Sequence, residues 1–172
     1  MQRLAQLIIQ GDFGQVRLLA TRQLVTSTDE SGWTVLMLVA HAPETPVETE
    51  KCILYLLELG ADPGACDGAG DTAAHVAARR DHLRLLALLP FDAKWLQNER
   101  GATPLMEAAR AGSWRAAKHL LHLLRQQRHN EFEECGNSKR DQLLGLQNSE
   151  GHSAQDLARR GGHAELGSYI QR

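Results

Sequence analysis

Four cations stand at one fixed position in a recurring pattern of this sequence. Each lies seven residues after a threonine or serine, and the four are His41, Arg79, Arg110 and Arg160. Seven residues make about two turns of an α-helix, so these cations would project from the same side of successive helices. Guanidinium groups bind carboxylates and phosphates bidentately. The column therefore predicts a surface that attracts acidic side chains, a phosphopeptide or a terminal carboxylate.

Acidic residues give this column a second interpretation. Glu30, Glu99 and Glu150 precede the hydroxyl residues, where each could neutralise a cation of its own or the next unit. Exposed ion pairs of this kind contribute only about 0–1 kcal/mol. On this interpretation the column is an ordinary solvated surface. We expect replacement of Arg79 and Arg110 by Glu to abolish partner binding while thermal unfolding stays nearly unchanged.

Motifs for catalysis are missing from the sequence. There is no G-x-S-x-G, no cysteine with a recognised local signature and no paired acidic motif. The glycine-rich segment DGAGDT at 67–72 lacks the lysine of a P-loop. We predict that the protein is not an enzyme and needs no cofactor.

A metal site of histidine and cysteine is the alternative chemistry. His119 and His122 lie three residues apart on a predicted helix, with His129 and Cys135 downstream. A metal-dependent protein that uses His119, His122 and Cys135 is therefore an alternative. The spacing lacks the close ligand pairs of closed zinc sites, and a solvent-facing helix side is the simpler explanation. We predict no metal site.

Composition excludes several classes of function. The 172 residues carry a net charge of −2, and the three cysteines are scattered. Such a chain has no overall field to draw it to nucleic acid or to a membrane, and no disulfide framework of a secreted domain. No signal peptide and no run of 18 apolar residues occurs. We expect one soluble cytoplasmic domain, a monomer that binds neither nucleic acid, membrane nor a small-molecule substrate.

The cationic column belongs to an internal repeat. Four stretches align, namely DESGWTVLMLVAH, DGAGDTAAHVAAR, NERGATPLMEAAR and NSEGHSAQDLARR. Their first column holds Asp or Asn, their fourth Gly and their sixth Thr or Ser. Asp or Asn hydrogen-bonds the backbone of a turn, Gly accepts a positive φ, and the hydroxyl caps a helix. Each stretch therefore predicts a tight turn leading into a helix, and an apolar second helix follows each time.

This pattern resembles the ankyrin repeat. The best matches are NERGATPLMEAARAG at 98–112 and LLELGADP at 56–63, where Gly60 stands at the predicted helix end. The resemblance implies one all-α solenoid domain of about five units, each a turn plus an antiparallel helix pair, stacked around a concave groove. The units are expected near 1–27, 28–65, 66–96, 97–146 and 147–172, and the first lacks its leading turn.

Some positions depart from the ankyrin pattern. Residues 125–145 hold an insertion, which we interpret as a longer helix followed by a polar loop. The third unit lacks the usual helix-end signature, so the placement of Trp95 stays open. Met37 and Met106 replace the family's histidine, which His75 retains, and are expected to pack between units. The last unit carries polar residues at apolar positions, as a terminal repeat does, so we expect the array to be complete.

The resemblance implies recognition of another protein. Turn tips and first-helix faces of this family project toward the partner, and the predicted contact residues there are Trp33, His41, Asp71, Arg79, Arg80, Arg100, Arg110, His152 and Arg160. Trp33 is the candidate aromatic anchor, although packing on its own turn explains it equally well. We predict a non-catalytic protein-binding module. A regulatory or targeting subunit of a larger signalling assembly is the alternative.

Overall fold

The computed structural model describes residues 2–10, 12–42, 48–127 and 139–171, and these residues are all-α, as predicted. In chain order the helices are α1 (Gln2–Gln10), α2 (Phe13–Leu19), α3 (Arg22–Val25), α4 (Val35–His41), α5 (Glu48–Glu58), α6 (Ala73–Arg79), α7 (Leu83–Leu88), α8 (Pro104–Ala111), α9 (Trp114–Gln127), α10 (Lys139–Leu144), α11 (Ala154–Arg160) and α12 (Ala164–Gln171). A 3-10 turn lies at Asp92–Trp95 between α7 and α8. Within these ranges, no helix is both long enough and apolar enough to cross a membrane.

Each turn forms as its Asp or Asn predicts. Oδ1 of Asn98 accepts hydrogen bonds from the backbone N–H groups of Arg100 and Ala102, at 3.0 and 2.9 Å. The same pair of bonds is made in the other turns by Asp29, Asp67 and Asn148. The hydroxyl residues that follow are the N-caps of α4, α6, α8 and α11. The turn chemistry read from the sequence therefore sets where each first helix begins.

The first helices of the units form one row and the second helices another. In the first row α4 packs on α6, α6 on α8 and α8 on α11, while in the second row α5 packs on α7 and α7 on α9. Paired alanines such as Ala77–Ala78 and Ala108–Ala109 are fully buried, which lets the first helices approach closely. Bulky apolar residues fill the second row, among them Ile53, Leu56, Leu85, Leu86, Leu120 and Leu124. One continuous core therefore runs along the stack.

The opening segment forms a helix pair, as the sequence predicts. α1 packs on α4 and α2 packs on α5, so the pair continues both rows. Asp12 caps α2 by accepting a hydrogen bond from the N–H of Gln15 at 3.1 Å. Gly60, which was predicted to lie at a helix end, follows α5 and has a φ of +94°. The boundaries of the five units stay predictions.

The insertion differs in part from its prediction. α9 is a longer helix of 14 residues, as expected. Residues 128–138 lie outside the described ranges. The prediction that the insertion continues as a polar loop up to residue 145 is wrong, because residues 139–144 form α10. Leu144 and Leu146 pack against the core. These leucines give the end of the insertion an apolar side that the reading of a polar loop overlooked.

The positions left open or unusual in the sequence are buried or partly buried. Met37 and Met106 are buried in the core, and their packing between units stays a prediction. Trp95 lies in the 3-10 turn, where its ring packs against the core and lies 5.7 Å from the ring of Phe91. The link after α7 therefore covers the core with an aromatic side chain where the usual helix-end signature is missing.

His75 joins the third unit to the fourth. Its Nδ1 lies 3.1 Å from the backbone N–H of Thr72, which donates to it, so the ring proton is on Nε2. Nε2 then donates to the carbonyl oxygen of Ala102 in the next turn, at 2.9 Å. Burial lowers the pKa of His75 below its usual 6.5, although the bond to Ala102 acts in the opposite direction. The folded chain therefore keeps this imidazole neutral.

The lowered pKa of His75 makes stability depend on pH. Below pH 6.5 the His75 imidazole of the unfolded chain binds a proton, whereas that of the folded chain stays neutral. The free energy of unfolding therefore falls as the pH drops. We expect urea unfolding to show lower stability at about pH 5.5 than at about pH 7.5. The difference should shrink in His75→Gln. A pH dependence that is unchanged in His75→Gln would contradict this assignment.

The turns also stack directly on one another. The N–H of Glu99 donates to the carbonyl oxygen of Ala69 at 3.2 Å, and the N–H of Ser149 donates to that of Arg100 at 2.8 Å. Gly70 lies at this contact with φ of +73°, and a Cβ there would lie 2.7 Å from the backbone nitrogen of Glu99. Gly151 has nearly the same backbone, φ of +78°, but a Cβ there would meet nothing within 4 Å.

The two glycines therefore separate backbone strain from stacking. Both Gly70→Ala and Gly151→Ala place a side chain at positive φ, which costs about 1–2 kcal/mol. Only Gly70→Ala also forces the neighbouring turn away, and we expect a further loss of about 1–3 kcal/mol. The free energy of unfolding in urea measures the difference, and equal losses in both variants would show that the turns do not stack tightly.

Candidate functional site

Three of the predicted arginines converge on one buried carboxylate. Glu107 on α8 is only 3% exposed. Its carboxylate lies 2.7 Å from Arg110, 3.5 Å from Arg79 and 3.9 Å from Arg100. Arg79 comes from α6, Arg100 from the next turn and Arg110 from α8. We call Arg79, Arg100 and Arg110 the arginine cluster.

Asp71 also serves this cluster. Its side chain is 5% exposed, and Oδ2 accepts a hydrogen bond from Arg79 at 2.7 Å. Oδ1 accepts another from the amide of Asn98, at 2.7 Å, in the next turn. Burial alone would raise the pKa of Asp71, but the bonds from Asn98 and Arg79 outweigh it and lower the pKa. Asp71 was expected to point at a partner from a turn tip, whereas it lies buried and positions Arg79.

The acids that neutralise the arginines are not those expected. Glu107 and Asp71 hold the cluster, whereas Glu150 lies 3.2 Å from Nδ1 of His152. Glu107 was not among the predicted acids, which all lie in the turns, although its position three residues before Arg110 indicates a contact on one side of the helix. Because both acids are buried, replacing Arg79 and Arg110 by Glu would crowd like charges together. These contacts therefore predict that the double variant is destabilised, contrary to the expectation of unchanged unfolding.

The outer sides of the cluster remain accessible. The side chains of Arg79, Arg110 and Arg100 are 30%, 47% and 60% exposed. Each guanidinium has five N–H donors, and the contacts to Asp71 and Glu107 use only some of them. Three positive charges face two negative ones, so the cluster keeps an excess positive charge. It can therefore bind a further carboxylate or phosphate from solvent.

The other predicted contact residues lie in separate places. Arg80 donates a hydrogen bond to Nε2 of His41, and the rings of His41 and Trp33 meet edge-on with centroids 5.6 Å apart. Trp33 is half-buried against the core, so it both packs and shows a face. Arg160 is exposed at the end of α11, and His152 lies beside Glu150. The structure thus brings together Arg79, Arg100 and Arg110, but not the whole predicted set.

The surroundings of His119 bear on the metal alternative. Burial lowers the pKa of His119, and the charges of Lys94 and His122 lower it further. A nearby ammonium group opposes the binding of a metal cation at this histidine. Nε2 of His122 hydrogen-bonds the amide of Gln126 at 2.9 Å, and Cys135 lies outside the described residues. Within the described ranges no three His, Cys, Asp or Glu residues are grouped to hold a metal ion.

Glu107→Gln tests how far the buried carboxylate holds the cluster. Removing one partner of a buried ion pair is costly, but the arginines are partly hydrated, so we expect a loss of about 1–3 kcal/mol in unfolding free energy. Glu50→Gln is the matched control, because Glu50 pairs with Arg84 at 3.2 Å on an exposed surface. It should cost less than about 0.5 kcal/mol. Equal effects in urea unfolding would show that Glu107 is no more than a surface acid.

Comparison with known proteins agrees with this architecture. The family model for ankyrin repeats, in three copies, matches residues 47–132, which is half of the chain. No curated protein matches the chain. The matched segment includes the turns at 67–71 and 98–102 and the helices α5 to α9 described above. The chain belongs to the ankyrin-repeat family.

Proposed function

We propose that this array is a non-catalytic protein-binding module that holds an acidic segment of its partner on the arginine cluster. Ankyrin repeats generally act as protein–protein interaction modules. The observation that carries the proposal is the convergence of Arg79, Arg100 and Arg110 on buried Glu107. It supports an acidic ligand because buried Glu107 and Asp71 hold the guanidinium groups in place, while some of their N–H donors still face solvent.

Preorganisation supports affinity at this cluster. A flexible arginine loses side-chain entropy when a ligand immobilises it, at about 0.5–1.5 kcal/mol per residue. Glu107 and Asp71 already restrict Arg79 and Arg110 in the unliganded chain. Part of the entropic cost is therefore met during folding, and an acidic partner gains more from each contact.

The same contacts favour binding over catalysis. A general base needs a carboxylate or imidazole that can accept a proton from a substrate. Asp71 and Glu107 are buried and hydrogen-bonded to guanidinium groups. Neither is placed to take part in proton transfer, so the cluster is suited to recognition.

The spacing of the helices limits the form of the partner segment. α6, α8 and α11 are successive members of the first row, and neighbouring helices in such packing lie about 8–10 Å apart. A chain in the polyproline II conformation has three residues per turn and rises about 3.1 Å per residue, so side chains three residues apart point the same way and lie about 9 Å apart. A segment with acidic residues at every third position can therefore place one acid on the arginine cluster and the next near Arg160 on α11.

A designed peptide tests this proposal. We expect fluorescein-labelled Gly-Glu-Gly-Gly-Glu-Gly-Gly-Glu-Gly to bind with saturable anisotropy, and its lysine counterpart not to bind. In Arg100→Gln/Arg110→Gln the dissociation constant should rise about tenfold or more, because two charge-assisted contacts are lost. The control is Lys51→Gln/Lys118→Gln, which changes net charge equally on exposed positions of the second helices α5 and α9.

Two results would contradict the proposal. One is absence of saturable binding by the glutamate peptide. The other is an equal loss of affinity in the control variant, which would show that only net charge matters. Crosslinking of the chain to partners in native lysate should then place contacts on the arginine cluster, and contacts confined to the second helices would argue against this surface.

A further inference from the structure

A second cationic site lies away from the arginine cluster, where three units meet. A cavity of about 380 Å³ is lined by Ala40, His41, Ala42, Arg80, Asp81, His82 and Arg115. His41 ends α4, Arg80 follows α6, and Arg115 lies in the first turn of α9. The cavity therefore exists only because three successive units stack. We call it the inter-unit pocket.

Its lining carries cationic side chains that are partly oriented. Two arginines and one aspartate line it, and Oδ1 of that aspartate, Asp81, accepts a hydrogen bond from the N–H of Ala116 at 2.7 Å. Nε2 of His41 accepts a hydrogen bond from Arg80 and so orients that guanidinium. Burial and the charge of Arg80 both lower the pKa of His41. Arg80, His41 and Arg115 are all exposed, so a ligand can reach them from solvent.

We propose that the inter-unit pocket binds a phosphate monoester, carried by a phosphorylated side chain of a protein partner. A phosphate monoester has three terminal oxygens and a charge of about −1.5 to −2 at neutral pH. Arg80 and Arg115 belong to different helical units and approach the cavity from different elements. Each can take separate oxygens of one phosphate group.

A carboxylate suits this pocket less well. Its two oxygens lie in one plane and are satisfied by a single guanidinium fork. The tetrahedral phosphate offers acceptors in three directions, which suits donors that come from two different units. The cavity volume also leaves room for part of the side chain that carries the phosphate. The arginine cluster differs, because its guanidinium groups gather around one internal carboxylate.

This inference uses the proposed protein-binding function only for the source of the phosphate. Binding of a phosphate monoester itself depends on Arg80, Arg115 and His41, none of which belongs to the arginine cluster. Failure of the glutamate peptide to bind the cluster would therefore leave the pocket untouched. The two sites are distinguished by separate variants.

The test titrates the full ¹⁵N-labelled chain with three probes, N-acetyl-O-phosphoserine methylamide, N-acetylglutamate methylamide and inorganic phosphate. We expect saturable amide shifts at residues 40–42 and 80–82 with the phosphoserine probe. Its dissociation constant should be at least about tenfold lower than that of the glutamate probe. Arg80→Gln and Arg115→Gln should each weaken phosphoserine binding at least about fivefold, whereas Arg110→Gln should leave it unchanged.

The controls make each outcome decisive. Thermal unfolding of each variant shows whether it folds. Because Arg80 is exposed, Arg80→Gln tests phosphoserine binding independently of Arg115→Gln. Equal affinity for the glutamate probe, or no effect of Arg80→Gln in the folded chain, would overturn the pocket as a phosphate site. Inorganic phosphate that binds as tightly as the phosphoserine probe would overturn the assignment to a phosphorylated side chain.

Discussion

The whole structure depends on the fact that one unit cannot bury its apolar sides alone. A turn with two short helices exposes alanines on one helix and leucines on the other, and both are covered only when the next unit lies against them. The backbone of the turns also needs a neighbouring unit. The N–H of Glu99 donates to the carbonyl of Ala69, and the N–H of Ser149 donates to the carbonyl of Arg100. Stability and the spacing of the units therefore come from the same interface, which also positions Arg79 and Arg100 around Glu107.

Residues that join two units in the core also prepare the surface. Asp71 binds Asn98 of the next turn and Arg79 of its own unit, so a single carboxylate joins two units and fixes one guanidinium of the arginine cluster. Glu107 acts in the same way from the other side of that interface. Because these acids are buried, their cost is offset only while the arginines stay in place. The cationic surface is thus coupled to folding and is not an addition to a finished scaffold.

How much of the fold and of the arginine cluster could be predicted from the sequence depends on how far apart in the chain the interacting residues lie. Turns and caps depend on residues within about four positions, so Asn98, Gly101 and Thr103 were enough to place the start of α8. The arginine column followed from helix period alone. What a column cannot give is the partner across the interface: Glu107 faces arginines from three separate elements, and the direction of Asp71 depends on Asn98 in the next unit. The inter-unit pocket was missed for the same reason: His41 and Arg80 were predicted as contact residues, but Arg115 comes from α9 and occupies no repeated position.

This dependence on neighbouring units has a consequence for ligand binding. Both cationic sites are assembled across interfaces, the arginine cluster from the third and fourth units and the inter-unit pocket from the second to the fourth. A ligand that binds only the assembled site stabilises the assembled state by mass action. In a stack whose units interact only with their neighbours, that stabilisation falls first on the interface which the ligand spans. An acidic or phosphorylated partner would therefore favour the arrangement in which these units are fully stacked. Binding of the partner and local folding then depend on the same contacts.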